Sequence, residues 1–83
     1  MNVYLIAVYD HAIEAYGRPF TVQHPGQAVR SFMDECKNPE SDVAKHPGDY
    51  ELWQLAFMDD KNGDIIQAKE RLSRAVDHTQ SEK

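Results

Sequence analysis

The chain contains one cysteine and four histidines, the residue types that most often serve as nucleophiles or metal ligands. Cys36 falls at the i+7 position of an apolar helical stripe, a place that favours a buried core thiol over a reactive one. The histidines never occur two to four residues apart, which is the spacing that a helix or turn needs to present two ligands to one ion. Their positions are His11, His24, His46 and His78. The sequence therefore predicts neither a catalytic cysteine nor a histidine metal site.

A second candidate for metal chemistry is an acidic segment near residue 60. It begins like a calcium-binding loop, but the glycine and the distal glutamate that such a loop requires are misplaced. The segment is Asp59, Asp60, Asn62 and Asp64. Asn62-Gly63 is instead a strong signal for a β-hairpin turn. With no glycine-rich phosphate loop either, we expect a protein that is not an enzyme and binds no cofactor or metal.

Aromatic and basic residues suggest a different kind of chemistry. Aromatic side chains on an open sheet face stack single-stranded bases, and nearby cations contact phosphates. Trp53 and Phe57 are four residues apart in a predicted strand, which places them on one face. The candidate nucleic-acid-binding residues are Arg18, Arg30, Lys69, Arg71, Arg74, Tyr16 and Trp53. Other interpretations stay open. Aromatic stripes also form protein cores or protein interfaces, and Lys69, Arg71 and Arg74 also suit a solvated helix face.

Length and charge limit the remaining classes. The chain has 83 residues, 41% of them hydrophobic and 28% charged, which is the composition of one small globular domain. Its net charge of −5 argues against a basic nucleic-acid module. No apolar run approaches a membrane span. We expect a single domain at residues 1–78 with a flexible tail at 79–83. A core this small also favours a homo-oligomer.

The apolar patterning predicts an α+β domain in the order β-β-α-β-β-α, with an antiparallel sheet and helices packed on one face. Residues 3–9 are apolar at both odd and even positions, as in a central strand. Residues 20–23 alternate between apolar and polar, which predicts a strand that returns antiparallel beside the first. Val29, Phe32, Met33 and Cys36 form the stripe of a helix over 25–37.

The remaining segments carry weaker patterns. Residues 10–17 suit either a helical turn or a long hairpin loop, and 38–49 read as a long loop. Strands are predicted at 50–58 and 65–67. Residues 69–78 are predicted as a second helix, because Ala68, Leu72, Ala75 and Val76 have helical spacing.

Several short segments together carry a family resemblance that extends over residues 3–66. They are Val8-Tyr9-Asp10, Glu14-Ala15-Tyr16, Pro19-Phe20, Gly26-Gln27-Ala28-Val29-Arg30-Ser31-Phe32, Asn38-Pro39-Glu40, Lys45-His46-Pro47-Gly48-Asp49-Tyr50-Glu51-Leu52-Trp53, Phe57-Met58-Asp59-Asp60 and Asn62-Gly63. The pattern resembles the small nonstructural protein of gokushovirus-type microviruses, which are bacteriophages with circular single-stranded DNA genomes. The most specific part is the run from Lys45 to Tyr50.

The resemblance implies a role at the switch from double-stranded replication to single-stranded genome synthesis and packaging. It implies a nonstructural or DNA-binding protein of the host bacterial cytoplasm that is absent from the mature particle. From the residues and the resemblance together, we expect a non-enzymatic protein that binds single-stranded DNA. The alternative is an oligomeric protein-interaction module that binds the replication initiator or the procapsid without touching DNA. No membrane is expected as a partner.

Overall fold

The computed structural model describes residues 2–78 and shows a five-stranded antiparallel sheet with helices packed on one face. The sheet order is β2-β1-β4-β5, and β3 pairs with β1 along the same edge as β2. The elements are β1 (Asn2–Asp10), β2 (Ala15–Tyr16), β3 (Phe20–Val22), α1 (Pro25–Cys36), α2 (Asp42–Lys45), β4 (Tyr50–Asp59) and β5 (Ile65–Arg74), with 3₁₀ turns at Pro47–Asp49 and Ala75–Asp77. The predicted α+β class is confirmed.

β1 is the central strand, as its apolar sequence predicted. It pairs with β4 along its whole length on one side and with β2 and β3 on the other. Ile6 and Ala7 are fully buried, so both faces of the strand are covered at its middle. A strand with two such faces has no polar side, which explains the unbroken run of β-branched and aromatic residues.

α1 supplies the other half of the core. Pro25 occupies the first turn, where its missing N–H costs no hydrogen bond, and Lys37 caps the end. Ala28, Phe32 and Cys36 form the buried side of α1 and cluster with Ile6 and Leu52 of the sheet. Burial raises the pKa of the Cys36 thiol, and the neighbouring Glu35 adds to this effect. Cys36 is therefore a protonated core residue.

The second helix predicted at residues 69–78 is wrong. These residues form most of β5, followed by the 3₁₀ turn Ala75–Asp77. β5 pairs with β4 from Ile65 to Arg74, so the strand predicted at 65–67 is much longer. Helical spacing of four apolar residues is a weak preference, and the open edge of β4 offers a full set of backbone hydrogen bonds that outweighs it.

Two connecting segments are more ordered than their sequences indicated. Residues 10–17 form a hairpin in which Tyr9 pairs with Tyr16 and Asp10 with Ala15. Glu14 in this turn has a positive φ of 55°. The predicted loop at 38–49 contains α2, whose first turn is capped by the Ser41 hydroxyl accepting from the Val43 N–H. The polar composition of this segment concealed these short elements.

An interruption in β4 corrects the prediction that Trp53 and Phe57 share one face. Leu5 and Ile6 are adjacent in β1, yet they pair with Ala56 and Gln54, so Leu55 is an extra residue. A β-bulge of this kind reverses the alternation of side chains beyond it. The Phe57 ring accordingly lies 6.0 Å from that of Tyr4, which packs against the core. Trp53 instead lines the opposite side of the sheet with Tyr9 and Tyr16.

Two further findings concern only the part of the chain that the structure describes. No helix within residues 2–78 has the length and apolarity to cross a membrane. Over the same residues, no group of three or more histidine, cysteine or acidic side chains is placed to hold a metal ion. The predicted flexible tail at 79–83 lies outside the described residues.

Candidate nucleic-acid interface

The sheet face opposite α1 carries an open depression at the end where β1 finishes and β4 begins. We call it the aromatic depression; its volume is about 340 Å³. It is lined by Tyr9, His11, Tyr16, Glu51, Trp53 and Lys69. The residues come from four strands and the β1–β2 turn, and sheet pairing fixes their relative positions: Tyr9 pairs with both Tyr16 and Glu51. The relative positions of the lining residues therefore depend on how β1 is paired with β2 and β4.

The aromatic rings form the walls of this depression. The Tyr9 ring meets the Tyr16 ring edge to face at 4.8 Å between centroids, and it meets the His11 ring at the same distance. Such contacts hold aromatic side chains in one orientation. Trp53 stands across from them on β4, with its indole N–H donating to Glu51 Oε1 at 3.0 Å. The depression thus presents fixed ring surfaces of the kind that stack planar ligands.

Lys69 places a cation between these walls. Its Nζ lies 5.8 Å from the centroid of the Tyr16 ring and 5.8 Å from that of Trp53, within the range of cation–π attraction. The regular pairing of β4 with β5 is interrupted next to Lys69. Gln54 pairs with Glu70 and Ala56 with Gln67, so a step of two residues in β4 faces a step of three in β5. Irregularities of this kind redirect side chains. The ammonium and the rings therefore face the same space above the sheet.

Glu51 is the acidic centre of the depression and joins most of its polar groups. In addition to the Trp53 N–H, its Oε2 lies 3.2 Å from His11 Nε2 and 3.5 Å from an Arg71 guanidinium nitrogen. Burial alone would raise the pKa of Glu51. The hydrogen bonds from Trp53 and His11 and the charges of His11 and Arg71 outweigh burial and hold that pKa below its ordinary value. Glu51 is therefore an ionised carboxylate at neutral pH.

The structure brings together four of the seven residues predicted to bind DNA. Tyr16, Trp53 and Lys69 line the aromatic depression, and Arg71 lies beside it through Glu51. The cations occupy a strand, where the sequence had placed them on a helix.

The other three predicted residues do not line the depression. Arg74 is nevertheless close to it, because it pairs with Glu51 in the register of β4 and β5. Arg74 forms a two-point contact with Asp77, at 3.0 and 3.2 Å, which offsets its charge. This pairing lowers the pKa of the Asp77 carboxyl and raises that of Arg74. Arg18 is exposed in the loop after β2, and Arg30 is exposed on α1, across the sheet.

Sequence reasoning missed Tyr9, His11 and Glu51 as parts of the site. Glu51 could have been predicted, because it lies two residues from Trp53 in a predicted strand and so shares its face. Tyr9 and His11 depend on the hairpin register, which pairs Tyr9 with Tyr16. The His11 N–H also donates to the Asp49 carbonyl at 2.8 Å, a contact between residues far apart in sequence. No local sequence pattern predicts such a contact.

An apolar cleft of about 90 Å³ lies at the other end of the sheet. It is lined by Val3, Leu5, Thr21, Ala56, Phe57, Met58 and Ile65. Ile65, which lines the cleft, is 69% exposed. The two ends of the sheet therefore differ, with charged and aromatic groups in the depression at one end and mainly aliphatic groups in the cleft at the other.

Comparisons with known proteins identify the family. A family model described as Phage ORF5 protein matches residues 3–78, which is nearly the whole chain and includes every residue of the aromatic depression. Neither the comparison with curated proteins nor that with solved structures gave a significant match. The extent of the family match is decisive, and this chain belongs to the Phage ORF5 protein family.

Proposed function

We propose that this phage protein binds single-stranded DNA through the aromatic depression and acts, without enzymatic activity, in viral genome replication and packaging. The observation that carries the proposal is the position of the Lys69 ammonium over the Tyr16 and Trp53 rings on the sheet face opposite α1. Rings stack bases and the cation contacts phosphate, the combination used by proteins that bind single strands with little sequence preference. The resemblance to gokushovirus-type nonstructural proteins supports the same role in the host bacterial cytoplasm.

The energetics favour weak, salt-sensitive binding. A stacked base contributes about 1–3 kcal/mol, and the depression has room for very few bases. The net charge of −5 provides no long-range attraction, so phosphates must be held by cations within a Debye length of about 8–10 Å. Lys69 and Arg71 meet this condition on one strand, although the Glu51 carboxylate, 3.5 Å from Arg71, offsets part of the Arg71 charge. Self-association would place several such sites along one strand of DNA and strengthen binding through effective concentration.

The test is a salt titration of binding to a labelled single-stranded oligonucleotide, followed by fluorescence anisotropy. The variant Lys69→Gln with Arg71→Gln removes two charges at the depression, and Arg18→Gln with Arg30→Gln removes two elsewhere. Each phosphate contact on a single strand contributes about 0.7 to the slope of log affinity against log salt. We expect the first variant to reduce that slope by about 1.4 and the second to leave it nearly unchanged.

Intrinsic fluorescence provides an independent measurement, because Trp53 is the chain's one tryptophan. Stacking of a base on its indole should quench the emission as oligonucleotide is added. Tyr16→Ala should weaken binding, whereas Tyr16→Phe keeps the ring and should not. Absence of binding even at low salt would refute the proposal, and binding that the Lys69 and Arg71 changes leave intact would refute this site.

A second candidate function rests on the apolar cleft. Ile65 lines this cleft and is 69% exposed, and an exposed aliphatic side chain beside an apolar cleft is typical of a protein-contact surface. In this alternative, the protein is an oligomeric module that contacts the replication initiator or the procapsid and does not bind DNA. The same titration separates the two candidates, since this one predicts no change in anisotropy at any salt concentration.

A further inference from the structure

The Lys69 side chain lies across the aromatic depression. Its Nζ is 5.8 Å from the ring centroid of Trp53 and equally far from that of Tyr16. Trp53 belongs to β4, the neighbour of β5, whereas Tyr16 belongs to β2, three strands away. Adjacent strands are about 4.8 Å apart, so β5 and β2 are separated by about 14 Å. The side chain therefore reaches over β4 and places its ammonium above the middle of the depression.

The ammonium occupies space that a stacked base needs. A base stacks by lying in contact with the face of an aromatic ring. On the side of the depression, Lys69 stands over the faces of both the Tyr16 and the Trp53 ring. A base cannot enter between these rings while the ammonium remains there. Binding of a nucleotide at this place therefore requires the Lys69 side chain to move.

The contacts that hold Lys69 are weak enough to be exchanged. Lys69 is exposed, and no salt bridge within residues 2–78 includes it. A cation–π contact at an exposed site is weaker than the stacking of a base on the same ring. A phosphate of the bound strand would also give the displaced ammonium a charge-assisted partner. Both exchanges favour the bound arrangement.

We infer that Lys69 is a movable cover of the aromatic depression, whose ammonium lies over the rings in the free protein and moves to a backbone phosphate when a base takes its place. This inference rests on the proposed function and adds an exchange of contacts to it. Lys69 then has two opposite effects on binding, because it hinders the base and attracts the phosphate.

The experiment separates these effects with two oligonucleotides of one sequence, each about ten nucleotides long. One has ordinary phosphodiester linkages and the other has uncharged methylphosphonate linkages, so only the first can attract a cation. Lys69→Gln should strengthen binding of the uncharged oligomer by about two- to fivefold, which corresponds to one exposed cation–π contact. The same change should weaken binding of the phosphodiester oligomer at low salt and reduce its salt slope by about 0.7.

Arg71→Gln is the matched control. It removes one positive charge from the same strand, but Arg71 contacts Glu51, and within residues 2–78 the cation–π contacts are those of Lys69. This variant should weaken binding of the phosphodiester oligomer and leave that of the uncharged oligomer unchanged. Lys61→Gln, at an exposed position between β4 and β5, should affect neither.

Nuclear magnetic resonance provides a direct measurement of the movement. The ε-methylene protons of Lys69 lie near the two rings, so ring currents should displace their resonance in the free protein. Isotope-labelled lysine makes this resonance visible, and its absence from Lys69→Gln assigns it. Saturation with the phosphodiester oligomer should return it to the position of an ordinary exposed lysine.

Each result decides a separate claim. A Lys69 resonance that stays displaced at saturation overturns the exchange and leaves single-strand binding intact. Equal affinity of the wild-type protein and Lys69→Gln for the uncharged oligomer also overturns the exchange. If neither protein binds the uncharged oligomer, the Lys69 resonance decides. Absence of binding to the phosphodiester oligomer overturns the proposed function and this inference together.

Discussion

The side-chain amide of Gln54 in β4 donates a 2.9 Å hydrogen bond to the main-chain carbonyl of Ala68 in β5. The bond lies where the regular pairing of the two strands is interrupted, so it links β4 and β5 across the irregularity. Ala68 directly precedes Lys69, the residue whose ammonium lies over the Tyr16 and Trp53 rings. A buried glutamine thus stabilises the backbone that carries the cation of the candidate site.

Replacing this glutamine should weaken the fold. Gln54→Leu removes the donor and leaves the Ala68 carbonyl without that partner, which should lower the free energy of unfolding by about 1–3 kcal/mol. Urea denaturation followed by circular dichroism measures the change. Gln67→Leu, at an exposed position of β5, is the control and should shift stability by no more than about 0.5 kcal/mol. Equal effects of the two changes would contradict this role for Gln54.

Phe32 should be among the most sensitive positions of the core. It is 4% exposed and packs with Ile6 and Leu52. Phe32→Ala should cost about 3–5 kcal/mol through lost burial and the cavity left behind. A domain of this size is stable by about 5–15 kcal/mol, so the variant should melt at a much lower temperature or fail to fold. Arg30→Ala on the exposed side of the same helix should barely move the melting temperature, and a similar small shift for Phe32→Ala would show that the ring is not part of the core.

Glu51 should make the free energy of unfolding depend on pH under acidic conditions. Its folded-state pKa lies below the ordinary value of 4.5, so its ionised form contributes stability that is fully present above about pH 4.5 and is lost as pH falls through the folded value. Glu51→Gln removes this contribution and should show a shallower loss of melting temperature below pH 4.5 than the wild-type protein. Glu40→Gln, an exposed carboxylate in the loop after α1, serves as the comparison. Parallel curves for Glu51→Gln and the wild type would rule out this contribution.

Self-association is expected through the apolar end of the sheet. Light scattering at micromolar concentration should give at least twice the chain mass of 9.5 kDa. Ile65→Ser should shift the protein towards the monomer, because Ile65 borders the apolar cleft and is 69% exposed. Ile13→Ser is a close control, since Ile13 is 67% exposed but lies in the β1–β2 turn. A monomeric mass for the wild-type protein would refute the prediction, and equal effects of the two changes would place the contact elsewhere.

Strong local patterns explain which parts of the fold were predictable. The strand β1, the helix α1 and the Asn62-Gly63 turn were all predicted correctly. The stripe of α1 was right only in part, because Ala28 is buried with Phe32 and Cys36, whereas Val29 and Met33 are half-buried. β5 was misassigned because its decisive interactions are with β4, far outside any local window. The sequence predicted Tyr16, Trp53, Lys69 and Arg71 as candidates by residue type. Their convergence depends on the hairpin register and on the bulge at Leu55, which no local spacing reveals.

The pairing of β1 with β4 determines the order in which the fold can be completed. β1 is synthesised first, but its full-length partner begins only at Tyr50, after the helices. Until then, the short strands β2 and β3 cover one side of β1, and its other side is an open apolar edge that can join a strand of a neighbouring nascent chain. Contacts between such distant segments also form slowly. Truncation before Tyr50 should therefore leave this edge of β1 unpaired and yield aggregates.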